Sequence, residues 1–295
     1  MKTILMSIII TICLLLSSLK AMDAKRHVLV PLDGFLFQVN TAAAISELGV
    51  AGAVSAAWTA GWRSSFSNIL GVASGKGPDQ KTLATKLFAL LNTIEYQPCV
   101  EAKSAPEVCW QGLKTPHIVV HGYLQGNNRC SDLMQTVLSH IQKNAGSGER
   151  ASLEASARIM LDPTKNAATF TPNADALNIV KELKARGHTV HVVDNWNGET
   201  FDCLLESHKT LFETINGKLF VSGKEGAVKS TKTTALLESF LEKNNGIKPE
   251  HCFCIETEPS YIAPLESKRL KHALCQDGNI AALRATLQKV GLLAE

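Results

Sequence analysis

The second half of the chain alternates β-branched segments with helical segments, and this alternation constrains the fold more than any other feature. Strand-like segments are found at residues 189–193, 218–222, 251–255 and 270–274. Segments with helical spacing of apolar residues lie between and around them, at 174–186, 201–214, 233–244 and 280–290. Because parallel neighbouring strands need such crossover helices, the sequence predicts an α/β fold with a parallel sheet covered by helices on both faces.

One more strand is predicted near the start of the chain, at residues 27–32, and it ends at Asp33 and Gly34. A long stretch of mainly helical sequence separates it from the other strands. Helices are predicted at 42–70, 83–94 and 133–141, with an irregular segment at 98–116. We therefore expect a core made of residues 22–42 and 160–295, interrupted by a helical insertion at 43–159.

The first residues form a separate segment. A basic end at Lys2 precedes an apolar stretch at 4–19, and small residues follow near Ala21. This order is typical of a secretory signal peptide at 1–21, and the apolar stretch is short for a membrane span. The sequence predicts an exported protein, periplasmic or secreted, with no membrane span after cleavage; a retained anchor is the less favoured alternative.

Charge and cysteine content narrow the choice of function. The chain has 30 basic and 27 acidic residues, and removal of residues 1–21 leaves 28 basic residues. No basic stripe is present, so the sequence offers no electrostatic support for nucleic-acid binding. Seven of the 8 cysteines lie after residue 21. An odd number in a chain large enough to form a core is consistent with buried free thiols as well as with disulfides.

Polar side chains follow the predicted strands where each strand ends. Asp33 follows the first strand, Asp194 and Asn195 follow the strand at 189–193, and Glu256 follows the strand at 251–255. Lys229 lies in the segment before the helix that leads to this last strand. Since the carboxyl ends of parallel strands meet at one edge of a sheet, we expect these residues to converge on one site.

The order of these groups resembles the haloacid dehalogenase (HAD) superfamily. That family opens with a strand ending in Asp-x-Asp-Gly-Thr/Val-Leu-Phe, and residues 31–37 of this chain are PLDGFLF. Its second motif is a strand ending in Ser/Thr-Asn, often followed by Trp, and residues 194–196 are DNW.

The third and fourth motifs of the family have counterparts as well. The third is a lysine after a glycine-containing turn, which resembles residues 222–229 (SGKEGAVK). The fourth is a strand ending in two adjacent acids, which resembles residues 256–258 (ETE). The resemblance covers about residues 27–291 and implies a three-layer, Rossmann-like HAD core with an α-helical cap insertion after the first strand.

The resemblance also implies roles for the residues at the sheet edge. Asp33 matches the general acid/base position of the first motif, and Lys229 matches the catalytic lysine. Asp194 and Asn195 match the substrate-binding positions. Glu256, with Asp33 as a weak second ligand, matches the position that binds Mg²⁺, the cofactor of the family.

The first departure from the family pattern is at the position of the catalytic nucleophile. The family's first aspartate attacks phosphorus and also binds the metal through its carboxylate. Pro31 stands at this position and has no side-chain atom that could do either. If Asp33 were taken as the nucleophile instead, Phe35 would occupy the acid/base position, so a shifted alignment does not restore the site.

The second motif departs in the same direction. The family uses a Ser or Thr hydroxyl to donate to the phosphoryl oxygens, whereas Asp194 offers a carboxylate that only accepts. A carboxylate about 4 Å from a phosphate repels it by about 1 kcal/mol in water and by more in a dry cleft. Thr257 replaces the second acid of the fourth motif.

Structural roles are open alternatives for each of these residues. Asp33 can simply start a turn with Gly34, since Asp-Gly pairs are common in turns. Asp194 and Lys229 can form a structural ion pair, and Asn195 can brace its own loop. Glu256 and Glu258 can be a solvated strand end.

Three functional hypotheses follow. The first is an exported HAD-like protein that is impaired or inactive as a phosphatase and binds a cation, a small molecule or a protein. The second is a divergent hydrolase in which Asp33 or Asp194 acts on another substrate through Mg²⁺ and Glu256. The third is an interaction module that binds through the insertion.

Overall fold

The structure is a computed structural model that describes residues 25–40, 108–110, 113–115, 123–127 and 129–294. The predicted signal peptide at 1–21 and the predicted helices at 42–70 and 83–94 lie outside these residues. None of the helices in the described ranges combines the length and the apolar character that crossing a bilayer requires.

The strands and helices are numbered here in chain order. The strands are β1 (His27–Val30), β2 (Phe37–Val39), β3 (Val108–Trp110), β4 (Leu113–Thr115), β5 (Phe170–Pro172), β6 (Thr189–Asp194), β7 (Leu219–Val221), β8 (Cys252–Glu256) and β9 (Lys271–Leu274). The helices are α1 (Cys130–Asn144), α2 (Ser147–Leu161), α3 (Pro163–Ala168), α4 (Ala174–Ala185), α5 (Gly198–Ser207), α6 (Lys209–Phe212), α7 (Ser222–Glu225), α8 (Ala235–Lys243), α9 (Ile262–Ser267) and α10 (Ile280–Lys289).

A five-stranded sheet with the order β7-β6-β1-β8-β9 forms the core. All its neighbouring strands are parallel. The strand β1 is central, because Val28 pairs with Val190 on one side and with Phe253 on the other. Its apolar sequence HVLV suits a strand that is covered on both faces. The predicted parallel α/β sheet is confirmed.

Helices cover both faces of the sheet, so the core has three layers. Val28 and Val30 face one hydrophobic cluster, which includes residues of α4, α5 and α10. Leu29 points to the opposite face and joins a second cluster with residues of α8 and α9. This separation follows from the period of two along a strand, which sends neighbouring side chains to opposite sides.

The insertion leaves and rejoins the core at a two-stranded antiparallel ribbon. Strand β2 pairs with β5, and Phe37 lies opposite Pro172. Beyond the ribbon, the backbone N–H of Asn40 donates to the carbonyl of Thr169 at 2.6 Å. Asn40 and Thr169, which flank the predicted insertion at 43–159, therefore lie side by side. These short strands were not predicted, because each is defined by its pairing with the other, far along the chain, and lies outside the alternation of strands and helices.

The insertion contains more regular structure than the sequence indicated. Helices α1 and α2 pack together through a third hydrophobic cluster that includes Leu133, Val137 and Leu153. Strands β3 and β4 form a hairpin, so the prediction of an irregular segment at 98–116 is wrong there. Five cysteines are free thiols, namely Cys130, Cys203, Cys252, Cys254 and Cys275.

A pair of neutral histidines lies at the amino end of β1 and β6. Nδ1 of His191 accepts the backbone N–H of Lys218 at 2.9 Å. Its Nε2 therefore carries the proton and donates to Nδ1 of His27 at 3.0 Å. Burial, helped by the nearby His27 and Lys218, lowers the pKa of His191 to about 4.

This pair predicts a loss of stability in acid. A folded-state pKa below the ordinary value means that the unfolded chain binds the proton more readily, so stability falls as the pH drops below about 6.5. Between pH 7.5 and pH 5 the contribution of His191 is about 2 kcal/mol. We expect His191→Asn to flatten the pH dependence of the free energy of unfolding, measured with urea at both pH values.

The exposed His251 provides the matched control. His251 is one of the groups that lower the pKa of His27, so His251→Asn should change the pH dependence less than His191→Asn does. An equal slope in wild type and His191→Asn would show that the buried pair does not titrate in this range.

Candidate functional site

The carboxyl edge of the sheet brings the predicted site residues together. Asp194 is the last residue of β6 and Glu256 is the last residue of β8. Strand β1 lies between these two strands, and the segment from Pro31 to Asp33 follows it directly. The sheet order therefore places three acidic side chains around the central strand end.

The carboxylate of Asp194 lies across the end of β1. Its Oδ2 accepts the backbone N–H groups of Leu32 at 2.8 Å and of Asp33 at 3.2 Å. Its Oδ1 accepts the N–H of Asn195 at 2.9 Å. The side chain is thus held by three backbone donors at a position where the chain leaves its central strand.

The ammonium group of Lys229 joins Asp194 to Glu256. Its Nζ is 2.9 Å from Oδ1 of Asp194, and 3.1 and 3.3 Å from the two carboxylate oxygens of Glu256. The three residues are 7%, 7% and 6% exposed, so this ion cluster is almost completely desolvated. Buried charges of this kind persist only when they are paired, since removing one partner costs about 3–5 kcal/mol.

Asn195 holds the backbone of Lys229 in place. Its Oδ1 accepts the N–H of Lys229 at 2.7 Å, and its Nδ2 donates to the carbonyl of Lys229 at 2.8 Å. The same Nδ2 lies 3.1 Å from the hydroxyl of Tyr261, and the Tyr261 ring lies under the ammonium group at 5.4 Å. The side-chain amide of Asn195 therefore holds the loop that carries Lys229.

Asp33 lies at the mouth of this cluster. Its backbone carbonyl accepts the hydroxyl of Thr257 at 3.1 Å. Burial, and next the negative charge of Asp194, raises the pKa of the Asp33 carboxyl to about 7. Gly34 follows with φ of +71°, a conformation that residues with a side chain rarely adopt.

The pKa values in the cluster are set by burial and by two carboxylates that share one ammonium group. Burial by itself lowers the pKa of Lys229, but the charges of Asp194 and Glu256 outweigh it and raise the pKa far above its ordinary value. Burial raises the pKa of Glu256, and the charge of Lys229 opposes this shift. The ammonium therefore stays charged, while burial and next the charge of Asp194 keep the pKa of Asp33 raised.

The residues present do not fit a divalent cation. Mg²⁺ requires oxygen ligands at about 2.0–2.1 Å around one point. Here both carboxylates point at the ammonium of Lys229, and Pro31 supplies no ligand. Within the described ranges, no group of three or more His, Cys, Asp or Glu side chains is arranged to hold a metal ion.

A small pocket adjoins the cluster on the face of the sheet that α8 and α9 cover. Its walls include Lys229, Glu256 and Tyr261 together with apolar side chains such as Leu237 and Leu265. The free volume of about 20 Å³ corresponds to a single water molecule. The pocket therefore has room for one ordered water beside the cluster.

The five predicted site residues lie together: Asp33, Lys229, Asp194, Asn195 and Glu256. Their catalytic, substrate-binding and metal-binding roles stay predictions. Glu258 instead accepts the backbone N–H of Ser260 at 3.3 Å and caps the short 3-10 helix Pro259–Tyr261. Tyr261 was missed, because nothing in its local sequence marks it as a neighbour of Lys229.

Comparisons with known proteins give structural similarity only. No family model and no curated protein matches the chain. A HAD family enzyme from Bacteroides thetaiotaomicron, solved with magnesium and inorganic phosphate, is 10% identical with a TM-score of 0.48, covering 85% of this chain and 93% of that one. A predicted HAD-like hydrolase from Porphyromonas gingivalis is 14% identical with a TM-score of 0.48, covering 90% and 98%.

A third solved structure is the L-2-haloacid dehalogenase of Xanthobacter autotrophicus. It is 13% identical with a TM-score of 0.44, covering 85% of this chain and 77% of that one. The chain is thus similar to HAD-family hydrolases and dehalogenases. The strand order and the placement of the four motifs at one sheet edge, rather than these alignments, support an HAD-like fold.

The turn after β1 depends on a glycine. A Cβ at Gly34 would lie 3.2 Å from Cβ and Cγ2 of Thr257, in addition to the strain of the positive φ. We expect Gly34→Ala to lower the free energy of unfolding by about 2–3 kcal/mol. Gly226 has the same φ of +71°, and a Cβ added there would meet nothing within 4 Å, so Gly226→Ala measures the backbone strain alone.

Gly34→Ala should lose more stability than Gly226→Ala, because only the new Cβ at position 34 meets Thr257. Thr257→Ser removes Cγ2 and should recover part of the loss in the Gly34→Ala background. Equal losses at Gly34 and Gly226 in urea unfolding would contradict a tight contact with Thr257.

The raised pKa of Asp33 predicts a second effect of pH. The folded state keeps this proton up to about pH 7, whereas the unfolded chain releases it near pH 4. Folding is therefore favoured less as the pH rises between these values. Because Asp33 is partly exposed, we expect Asp33→Asn to gain only about 1–2 kcal/mol over wild type between pH 5 and pH 8.

Urea unfolding at the two pH values measures this gain. Asp277→Asn, a change at an exposed carboxyl, serves as the control and should follow wild type. A constant difference between Asp33→Asn and wild type would mean that Asp33 titrates normally.

Proposed function

We propose that this chain is a HAD-like protein that does not catalyse phosphoryl transfer and that acts by binding a small molecule or a protein. One observation carries the proposal: the carboxylate of Asp194 accepts the N–H groups of Leu32 and Asp33 at the end of the central strand. These donors are where an anion would otherwise bind, since backbone N–H groups at such a strand end attract negative charge.

The charges around Asp194 support the same proposal. Lys229, the cation that would balance a bound phosphoryl group, is paired with Asp194 and Glu256. An entering phosphoryl group would have to displace a carboxylate that already has three N–H donors and an ammonium partner. Pro31, at the nucleophile position, offers no atom to form the covalent intermediate.

The contact between the core and the insertion supports a binding role. The amide Nδ2 of Asn197 donates to the carbonyl of Tyr123 at 3.0 Å, and the hydroxyl of Ser222 donates to the carbonyl of Leu124 at 2.7 Å. Both donors are buried and follow the ends of β6 and β7. The insertion thus rests directly on the loops of the candidate site, and a ligand at this junction would contact both parts.

A divergent hydrolase is the second candidate, and the Asp33 carboxyl favours it. A pKa of about 7 suits a general acid or base at neutral pH. In this case Glu256 would hold Mg²⁺ with Asp33 as its second ligand, and Lys229 would have to leave Glu256. Mg²⁺-dependent hydrolysis that is lost in both Asp33→Asn and Glu256→Gln would favour this candidate.

Export belongs to the proposal as well. The basic end, apolar stretch and small residues of segment 1–21 support cleavage and a periplasmic or secreted location. The N-terminal sequence of the purified mature protein tests this directly.

Hydrolysis of p-nitrophenyl phosphate with Mg²⁺ tests the loss of phosphoryl transfer. We expect no activity above buffer for wild type, because the nucleophile is absent and the anion site is occupied by Asp194. The double variant Pro31→Asp with Asp194→Ser supplies a carboxylate and frees the N–H donors, so we expect it to gain measurable turnover.

The single variants are the controls, and each should stay inactive because each restores only one of the two missing elements. Wild-type hydrolysis that disappears in Asp33→Asn would contradict the proposal. An inactive but folded double variant would show that the pocket has changed beyond these two positions.

A further inference from the structure

The ammonium group of Lys229 has the surroundings of a bound cation. Three carboxylate oxygens lie within 3.3 Å of it: Oδ1 of Asp194 and both oxygens of Glu256. The aromatic face of Tyr261 lies on a further side at 5.4 Å. All contacts come from residues at the carboxyl ends of strands or in the loops beside them.

The lysine is held so that its ammonium reaches this point. Its backbone N–H and carbonyl are both bonded to the side chain of Asn195. The side chain is 9% exposed, so the charged end meets almost no solvent and relies on its two carboxylate partners. An ion pair made by a flexible surface lysine contributes little to stability. Lys229 is buried, and loss of either partner would leave an unpaired buried charge.

We propose that Lys229 is the resident cation of this site: its ammonium takes the place of a divalent metal ion, and the wild-type protein binds no such ion there. The inference deepens the proposed function and rests on it, since both require that the carboxylates of Asp194 and Glu256 be neutralised from within the chain.

The same carboxylates form a cation site once the ammonium is removed. Two buried carboxylates without a partner would repel each other and lack solvation, which strongly favours any cation that can enter. Mg²⁺ is commonly held by one or two carboxylates together with several waters. The adjoining pocket of about 20 Å³ next to Lys229 and Glu256 has room for one of these waters.

Lys229→Met tests the proposal, because methionine keeps the unbranched apolar stem and loses the charge. We expect the variant to be stabilised by 10 mM MgCl₂ or CaCl₂ with a Tm rise of about 5 °C or more. Wild type should not respond beyond the effect of NaCl at equal ionic strength. Isothermal titration with each chloride salt should detect binding to the variant alone.

Two further variants separate a specific site from general charge effects. Lys229→Arg keeps a cation in place and should gain no metal binding. Lys229→Met with Glu256→Gln loses one ligand, and the response to Mg²⁺ should fall at least tenfold in affinity. These measurements of metal binding use no phosphate ester. Their result is therefore independent of the hydrolysis assay that tests the proposed function, and either proposal can be contradicted without the other.

Two results would overturn the proposal that Lys229 replaces a metal ion. Mg²⁺ binding by wild type that is lost in Glu256→Gln would overturn the proposal, and so would a folded Lys229→Met that ignores both metal ions. If Lys229→Met does not fold alone, refolding with 10 mM Mg²⁺ or Ca²⁺, followed by circular dichroism, replaces the titration. Rescue by the metal ions and not by NaCl supports the proposal, and failure of rescue overturns it.

Discussion

The rest of the site depends on one buried ionic contact, in which the ammonium of Lys229 neutralises Asp194 and Glu256. Two carboxylates at the ends of separate strands would repel each other across the end of β1 if no cation lay between them. With the cation in place, Asp194 is free to accept the N–H groups of Leu32 and Asp33. One lysine thus allows three loops to close against each other.

The same ion cluster explains why the polar groups at this sheet edge are already paired with one another. The sheet is a parallel α/β sheet, and the ends of its central strands converge on one point. The groups at this point bond to each other, however, and not to a substrate. Pro31 offers no ionisable side chain at this edge, and the carboxylate of Asp194 accepts the N–H groups of Leu32 and Asp33. The scaffold keeps the geometry of a site, while its hydrogen bonds and charges are satisfied internally.

Most of the core could be predicted, because buried parallel strands and amphipathic helices leave strong periodic patterns. Strands β6 and β8 and helices α4 and α10 lie within one or two residues of their predicted bounds. The three-residue strands β2 and β5 could not be found, since they are defined by each other and not by any local pattern. For the site, the strand ends identified Asp33, Asp194 and Glu256, but not the position of Tyr261.

The sequence by itself determined the parallel α/β architecture, the order of the four motif-like segments and the presence of a proline at position 31, because each is a matter of residue type and spacing along the chain. Only the tertiary structure decided between a ligand role and an ion pair as the present state of Asp194 and Lys229. The reason is physical: an ion pair depends on the distance and burial of two groups, and residues 35 positions apart in the chain acquire both only when the sheet has formed.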